Sequence, residues 1–561
     1  MNHDTPTTGR PDVVVVGAGL AGLYALHRFR ARGLTVRVIE AGPDIGGTWY
    51  WNAYPGARCD VESMDYSYSF SPELDQDWTW SELYPAQPEI LRYIHHVADR
   101  FDLRRDITLD TRVESAAYDE ERGRWSVGLS HGGTLDAQFV VFATGSLSAP
   151  LDPPFEGFET FGGEWYQTSR WPRHDVSFDG KRVAVVGTGS SGVQSIPVIA
   201  QAASEVTVFQ RTPNFSIPAR NRPLTADEVA ARKSVYPQHR QAQRDSPSGV
   251  TVDVNPRSAH SYDADEAQAE MRRRWEFGGA PIFNVAFVDT MTDVAANTLL
   301  ADFVRDRIRE TVDDPATAEL LVPTDHPIAA KRLCCDTNYF ATYNQEHVRL
   351  VSVRENPIRR IVPQGVELAD GTTYEVDTIV YAVGYDALSG ALGRIDIRGR
   401  GGRRLDQVWR DSDGPTTYLG LGVHGFPNMF TVTGPGSPAV LAVMTVAIEQ
   451  HVEWIDECLG YLAEHGLGVI EATDVAQKEW TDRVEEIVQG TVFPLATNSY
   501  YSGANVAGKW RRIPLWAAGQ KSYRDICAEV ARRGYEGFSL EPAPARATEP
   551  AGAVDVPVAG R

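Results

Sequence analysis

Two glycine turns carry the first chemical signal in this chain. Gly17, Gly19 and Gly22 follow an apolar run at residues 13–16 and open a helical pattern through Leu23, Leu26 and Phe29. Gly187, Gly189 and Gly192 follow a second apolar run at 182–186 and open a second helical pattern at 193–203. A GxGxxG pattern alone says little. Placed between a strand and a helix, its first glycine makes the tight turn and its second lets the backbone approach a pyrophosphate. The third lets helix and strand pack, with the helix N-terminus facing the anion. The residues that end each following strand separate the two sites. Glu40 lies about 20 residues past the first turn, where a carboxylate accepts hydrogen bonds from a ribose diol and repels a 2′-phosphate. That site suits FAD or NAD. The corresponding place in the second unit holds Arg211 between Gln210 and Thr212, and a guanidinium fork matches phosphate. That site suits NADPH. One acidic and one basic nucleotide site in one chain point to a flavoprotein reduced by NADPH.

The elements that must position these turns are short. The first unit reads strand, turn, helix, then a strand at 35–40, with Gly33 stopping the helix. The second repeats this, ending in a strand at 205–210. Both have the length of a βαβ nucleotide unit. Between about 224 and 322 the pattern turns to charged, helix-like stretches such as 267–277. Strand-like runs return at 348–351 and 377–382, and helical patterning dominates from 439 to 464. The expected architecture is α/β, two nested nucleotide domains with a helical insertion in the second.

The 561 residues exceed one ordinary core. Hydrophobic residues at 42% and charged residues at 23% are globular in proportion. The net charge of −21 opposes nucleic acid and anionic membrane as main partners, while leaving room for a local basic pocket. The longest apolar run, near residues 439–448, is too short to span a bilayer. Residues 1–11 lack the apolar core of a signal peptide, which predicts a cytoplasmic protein. Cys59, Cys334, Cys335, Cys458 and Cys527 are few and scattered, so a disulfide framework is not expected, and no zinc spacing is present. Residues 1–11 and 541–561 read as loose, polar or Pro- and Ala-rich ends.

The stretch Gly46-Gly-Thr-Trp49-Tyr-Trp-Asn-Ala-Tyr54-Pro55-Gly56-Ala-Arg-Cys-Asp60 resembles a signature of type I Baeyer–Villiger monooxygenases. So do Phe142-Ala-Thr-Gly145, Gln210-Arg-Thr-Pro213, Ala330-Lys-Arg332-Leu, Thr433-Gly-Pro-Gly-Ser-Pro438 and Gly503-Ala-Asn505. The resemblance runs from about Val13 to Phe538 and is nearest the branch of steroid and phenylacetone monooxygenases. It implies two Rossmann-like domains. An FAD-binding domain would cover 12–145 and 386–540. An NADP-binding domain would cover 146–223 and 329–385, with the helical insertion at 224–328. Around FAD it places Glu40, Thr48, Trp49, Asp60, Tyr66, Val113 and Met444 beside the first glycine turn. Around NADP it places Thr188, Gly189, Ser190, Gln194, Arg211, Thr212 and Lys331, with Tyr500 near the nicotinamide. Arg332 becomes the active-site arginine, paired with Asp60. The implied reaction uses NADPH and O2 to insert one oxygen atom beside the carbonyl of a bulky cyclic, steroid- or terpenoid-like ketone. A flavin peroxide would attack the ketone and yield an ester or lactone. Arg332 would keep that peroxide anionic, because a guanidinium does not lose its charge, and Asp60 would orient it. The implied partners are a ketone and O2, in a monomer or weak homo-oligomer.

The family fingerprint between the domains, FxGxxxHxxxW, is broken. It reads from Phe161 to Trp171 with Gln167 where the histidine belongs. Ala53 stands for a usual arginine, Tyr500 for a usual tryptophan and Val383 for a common threonine. Asp386 reads as structural. Two alternatives stay open on this scaffold: oxygenation at sulfur or nitrogen, in which Arg332 matters less, and flavin binding without turnover.

Overall fold

The computed structural model describes residues 9–543. Four consecutive buried valines, Val13–Val16, form the centre of a five-stranded parallel sheet. Its strands run in the order Met429–Thr431, Phe139–Phe142, Val13–Val16, Val36–Ile39, Ile107–Thr108. One face packs on helices and the other, carrying Val14 and Val16, on the antiparallel strands Val113–Asp119, Arg124–Leu129 and Thr134–Ala137, so the sheet is buried on both sides and its runs are apolar at every position rather than alternating. Helix Leu20–Ala31 packs against helix Met444–Glu464. Asp456, buried on the second, takes the Nε–H of Arg32 at 2.7 Å and an Nη2–H of Arg28 at 2.8 Å, so its charge is paired where it lies.

The second unit has its own five-stranded parallel sheet, in the order Val348–Ser352, Glu205–Gln210, Arg182–Val186, Thr378–Tyr381, Glu164–Gln167. Helix Ser190–Ile199 follows its glycine turn. From Ala226 to Leu321 the chain is mostly helical, broken by a loop at 246–258, and Thr225, Asp263, Asp293 and Asp314 cap four of the helices through their side chains. Arg240, 5% exposed, ties this insertion to the first unit by donating to Asp75 Oδ1 at 2.6 Å and Met64 O at 2.9 Å. Arg274 does the same within it, donating to Ile282 O at 2.8 Å and Asp253 O at 2.9 Å.

Two linkers join the sheets and pair with each other. Pro150 and Tyr385 form an antiparallel bridge, and the N–H groups of Asp386 and Leu151 donate to Ala149 O at 2.9 Å and Gly384 O at 3.1 Å. Gln167, at the end of an edge strand, donates from Nε2 to Leu151 O at 2.6 Å. The substituted fingerprint position thus holds the linker through a neutral amide. Asp386 accepts from Lys509 Nζ, the structural role expected of it.

Two boundaries differ from expectation. Helical patterning at 439–464 is two elements: a single turn at Ala439–Leu441, then the helix from Met444. Ala442 is extended between them, and Val443 N–H donates to Ser248 O at 2.7 Å. A tertiary partner overrides the local pattern and sets Met444 at a helix N-terminus. The loose tail begins later than 541, because Phe538–Pro542 pairs with Leu467–Ala472. At the other end Gly9 bridges Leu135, and Pro11 O accepts from Arg124 Nη2 at 3.2 Å. The rest of both expected loose ends, 1–8 and 544–561, lies outside the described residues. No helix among the described residues is long and apolar enough to cross a membrane.

Candidate active site

A cavity of about 1320 Å³ runs from the first glycine turn to the helical insertion. Gly17, with φ +105°, starts it; a Cβ there would meet Ala143 O at 2.7 Å, and one on Gly22 would meet Gly17 O at 1.8 Å. Both glycines are therefore forced by the turn, and Gly22 lies under it rather than in the cavity. Glu40 Oε2 accepts the Ala18 N–H at 2.7 Å and Oε1 the Gly42 N–H at 2.7 Å. Burial pushes the Glu40 carboxyl above its ordinary range, and these two N–H groups pull it back. Gly19, Glu40, Thr48, Trp49, Tyr66, Val113 and Met444 all line this cavity. Trp49 Nε1–H donates to the Tyr66 hydroxyl at 3.1 Å, with the rings edge to face at 5.7 Å. The structure brings these residues to one wall. That wall fits a flavin dinucleotide: a glycine turn, a carboxylate for a diol and aromatic faces beyond.

The second turn lies apart. Gly187, Thr188, Gly189, Arg211 and Thr212 are outside the cavity wall, whereas Ser190, Gln194 and Lys331 are in it. A Cβ on Gly187 would meet Ala382 O at 2.5 Å, but one on Gly189 would meet nothing within 4 Å. That open space beside the helix N-terminus is where a pyrophosphate would approach. Thr188 Oγ1 donates to Thr212 O at 3.0 Å, and Ser190 Oγ lies 3.2 Å from Cys334 Sγ. Burial lowers the Lys331 ammonium, and the positive charges of Arg211 and Arg354 lower it further against Asp325. A cluster of cations that repel one another fits an anion such as a 2′-phosphate. Arg354 was not foreseen; it also donates to Asp325 Oδ2 at 2.8 Å.

Between the two turns stands Arg332. Its Nε–H donates to Asp60 Oδ2 at 3.2 Å and an Nη1–H to Val440 O at 3.3 Å. Its side chain keeps 35% of its exposure and Asp60 only 12%; since Arg332 lines the cavity, that exposure is toward the chamber. Burial raises the Asp60 carboxyl while Arg332 and the Cys335 N–H lower it. Arg332 stays charged, held up chiefly by Asp60 against its burial. The chamber beyond is apolar: Val250, Val252, Val285, Phe287 and Met291 come from the insertion, with Val440 and Leu441 opposite. Ala439 is fully buried behind them.

Tyr500 lines the chamber, as does Tyr501, which sequence reading passed over; their rings lie 4.6 Å apart. The doubled tyrosine in the Asn498-Ser-Tyr-Tyr run was the available signal. Tyr54, buried in the second unit's core, also reaches the cavity wall and donates to Gln194 Oε1 at 2.8 Å.

The comparisons agree with this geometry. Residues 11–235 match the family described as pyridine nucleotide-disulphide oxidoreductase. An acetone monooxygenase (methyl acetate-forming) of Gordonia sp. (strain TY-5) is 41% identical over 94% of this chain and 99% of its own. A phenazine N-monooxygenase of Lysobacter antibioticus is 40% identical over 95% of this chain and 97% of its own. The structure of an oxidised steroid monooxygenase bound to NADP superposes with a TM-score of 0.91 at 49% identity, over 95% of this chain and 99% of that one. With both nucleotide turns, the Arg332–Asp60 pair and this likeness along nearly the whole chain, the protein belongs to the Baeyer–Villiger monooxygenases, FAD enzymes that use NADPH and O2 to insert one oxygen atom beside a ketone carbonyl.

Proposed function

We propose that this enzyme converts a bulky cyclic, steroid- or terpenoid-like ketone into a lactone or ester, with Arg332 as the catalytic cation. The observation that carries the reading is the placing of Arg332 at the mouth of an apolar chamber. Asp60 and Val440 occupy two of its N–H groups, and a guanidinium has five. FAD, when bound, supplies activated oxygen drawn from O2. The residues do the rest. Gly17, Gly19, Glu40, Thr48, Trp49, Tyr66, Val113 and Met444 hold FAD. Gly187, Thr188, Gly189, Ser190, Arg211, Thr212 and Lys331 hold NADPH, with Tyr500 against the nicotinamide end; Gln194, expected among them, spends its amide on Tyr54, Arg58 and Asp60 instead. Arg332 stabilises negative charge gathering on the ketone oxygen, in a site where apolar walls exclude water and strengthen the interaction. Asp60 keeps the guanidinium in place and neutralises its charge when no substrate is bound.

The two parallel sheets support assigning 12–145 and 386–540 to FAD, 146–223 and 329–385 to NADP, and 224–328 to the insertion. The acidic net charge of −21 supports an enzyme that does not take nucleic acid. The test is a screen of cyclic, steroid and terpenoid ketones with product mass analysis beside NADPH consumption. A product heavier than its ketone by one oxygen, cleaved by esterase, is expected; no such product from any class would overturn the reading.

A second reading, oxygenation at nitrogen or sulfur, draws on the likeness to the phenazine N-monooxygenase. Amine and sulfide oxygenation that survives loss of Arg332, with no ester formed by the intact enzyme, would favour it.

A further inference from the structure

We infer that Gln194 is a positioning residue: its amide fixes the rotation of the Asp60 carboxylate and thereby the place of Arg332. The inference rests on the proposed role of Arg332. Gln194 sits on helix Ser190–Ile199 of the NADP-side unit. Its side-chain partners lie in the loop 54–60 of the other unit. Nε2 donates to Arg58 O at 3.0 Å and to Asp60 Oδ1 at 3.4 Å, and Oε1 accepts from the Tyr54 hydroxyl at 2.8 Å.

The partners decide which way the amide faces. A backbone carbonyl and a carboxylate only accept, so both need the NH2 end, and Tyr54 can supply a proton to the other end. A flipped amide would set oxygen against oxygen twice. Both N–H groups are then spent on the loop, which leaves Gln194 no donor for a nucleotide. The backbone prevents the amide from drifting away. Gly56, at φ +81°, lies so close to the helix that a Cβ there would meet Gln194 O at 2.3 Å.

Asp60 is consequently gripped at both oxygens, Oδ1 by Gln194 and Oδ2 by Arg332. The terminal torsion of an aspartate is broad. Freed at Oδ1, the carboxylate can turn, and the guanidinium that hangs from Oδ2 turns with it. Gln194 therefore couples the seating of the NADP-side helix on the loop to the aim of the active-site cation.

The experiment uses FAD-loaded Gln194→Ala and Tyr54→Phe, with Asp60→Ala as reference. Three quantities are read: NADP⁺ affinity of the oxidised enzyme by calorimetry, the partition of consumed NADPH between ester and hydrogen peroxide with 2-phenylcyclohexanone as probe, and the rate at which phenylglyoxal labels Arg332, mapped by mass spectrometry. Gln194→Ala should lose about tenfold in ester formation, the size of one hydrogen bond to a charged group, with peroxide taking up the difference. NADP⁺ affinity should stay near wild type, and Arg332 should label several-fold faster, as in Asp60→Ala. Tyr54→Phe should shift both partition and labelling the same way by less, and it carries the test if Gln194→Ala does not fold. A tenfold weaker NADP⁺ affinity with unchanged partition and labelling would make Gln194 a nucleotide contact only and overturn the inference. The labelling arm decides even if the wild-type enzyme makes no ester, which would sink the proposed reaction and not the positioning role.

Discussion

Asp60 takes the Nε–H of Arg332 at 3.2 Å and not the two-pronged end of the guanidinium. The terminal nitrogens are thereby left for the chamber, where one of them also donates to Val440 O at 3.3 Å. A fork-to-fork contact would have spent both terminal nitrogens on the carboxylate. Arg332→Ala should keep FAD and still accept electrons from NADPH, while ester formation falls by about 10²–10³, the usual cost of removing one such electrostatic contact. Hydrogen peroxide should appear in its place. Arg332→Lys should restore little, because an ammonium offers no Nε–H to Asp60 while pointing further donors at the ketone. Quantifying ester and peroxide per NADPH consumed decides this; near wild-type ester yield in the alanine variant would remove the catalytic role.

The basic cluster at the second turn predicts a nucleotide preference. Burial lowers the Lys331 ammonium most, and repulsion from Arg211 and Arg354 adds to it. A 2′-phosphate relieves that repulsion and NADH does not. Arg211→Ala should raise the KM for NADPH by about tenfold or more, the loss of one charge-assisted hydrogen bond, and leave NADH use nearly unchanged. Lys331→Ala should act in the same direction. Equal use of NADH and NADPH by the wild type would contradict the assignment.

What the sequence made legible was local. Each glycine turn, its strand and its helix occupy a short stretch, so apolar runs and punctuation sufficed to place Gly17, Glu40, Gly187 and Arg211. Resemblance alone joined Arg332 to Asp60, because 272 residues separate them and no spacing rule reaches so far. The break at Ala442 was hidden because Ser248, from the insertion, holds Val443. The bond between Tyr54 and Gln194 was equally hidden, because Gln194 lies on the other sheet's helix. Contacts between units depend on how the units dock, and the docking is written in no single stretch.

Gln167 offers a stability test of a broken fingerprint. It is 4% exposed, and its Nε2 donates to Leu151 O at 2.6 Å. Gln167→Leu would leave that carbonyl without its side-chain partner, at a cost of about 1–3 kcal/mol. Gln167→His keeps a ring N–H able to reach the same carbonyl and should cost less. Denaturant unfolding of the two variants beside wild type reads the difference. Equal stability of all three would mean that the amide contributes nothing to holding the linker.

Glu449 makes a prediction about pH. It lies on the helix that begins at Met444, 4% exposed, and accepts from the Ser69 N–H at 2.6 Å and from the Ser69 hydroxyl. Burial pushes its carboxyl from 4.5 up to about 7, and Ser69 only partly offsets this. The folded protein therefore holds this proton more tightly than the unfolded chain. The stabilising contribution is full below the unfolded value of 4.5 and is lost as pH rises through about 7. Glu449→Gln carries a permanent neutral amide of the same shape, whose Oε1 can still accept from Ser69. Relative to wild type it should gain stability as pH rises from 5 to 8. Melting temperatures of both proteins across that range, taken in one buffer series, give the comparison. Parallel curves would show that Glu449 does not titrate between the folded and unfolded states, and a variant that loses ground with rising pH would show that the carboxylate, not the acid, is the form the fold prefers.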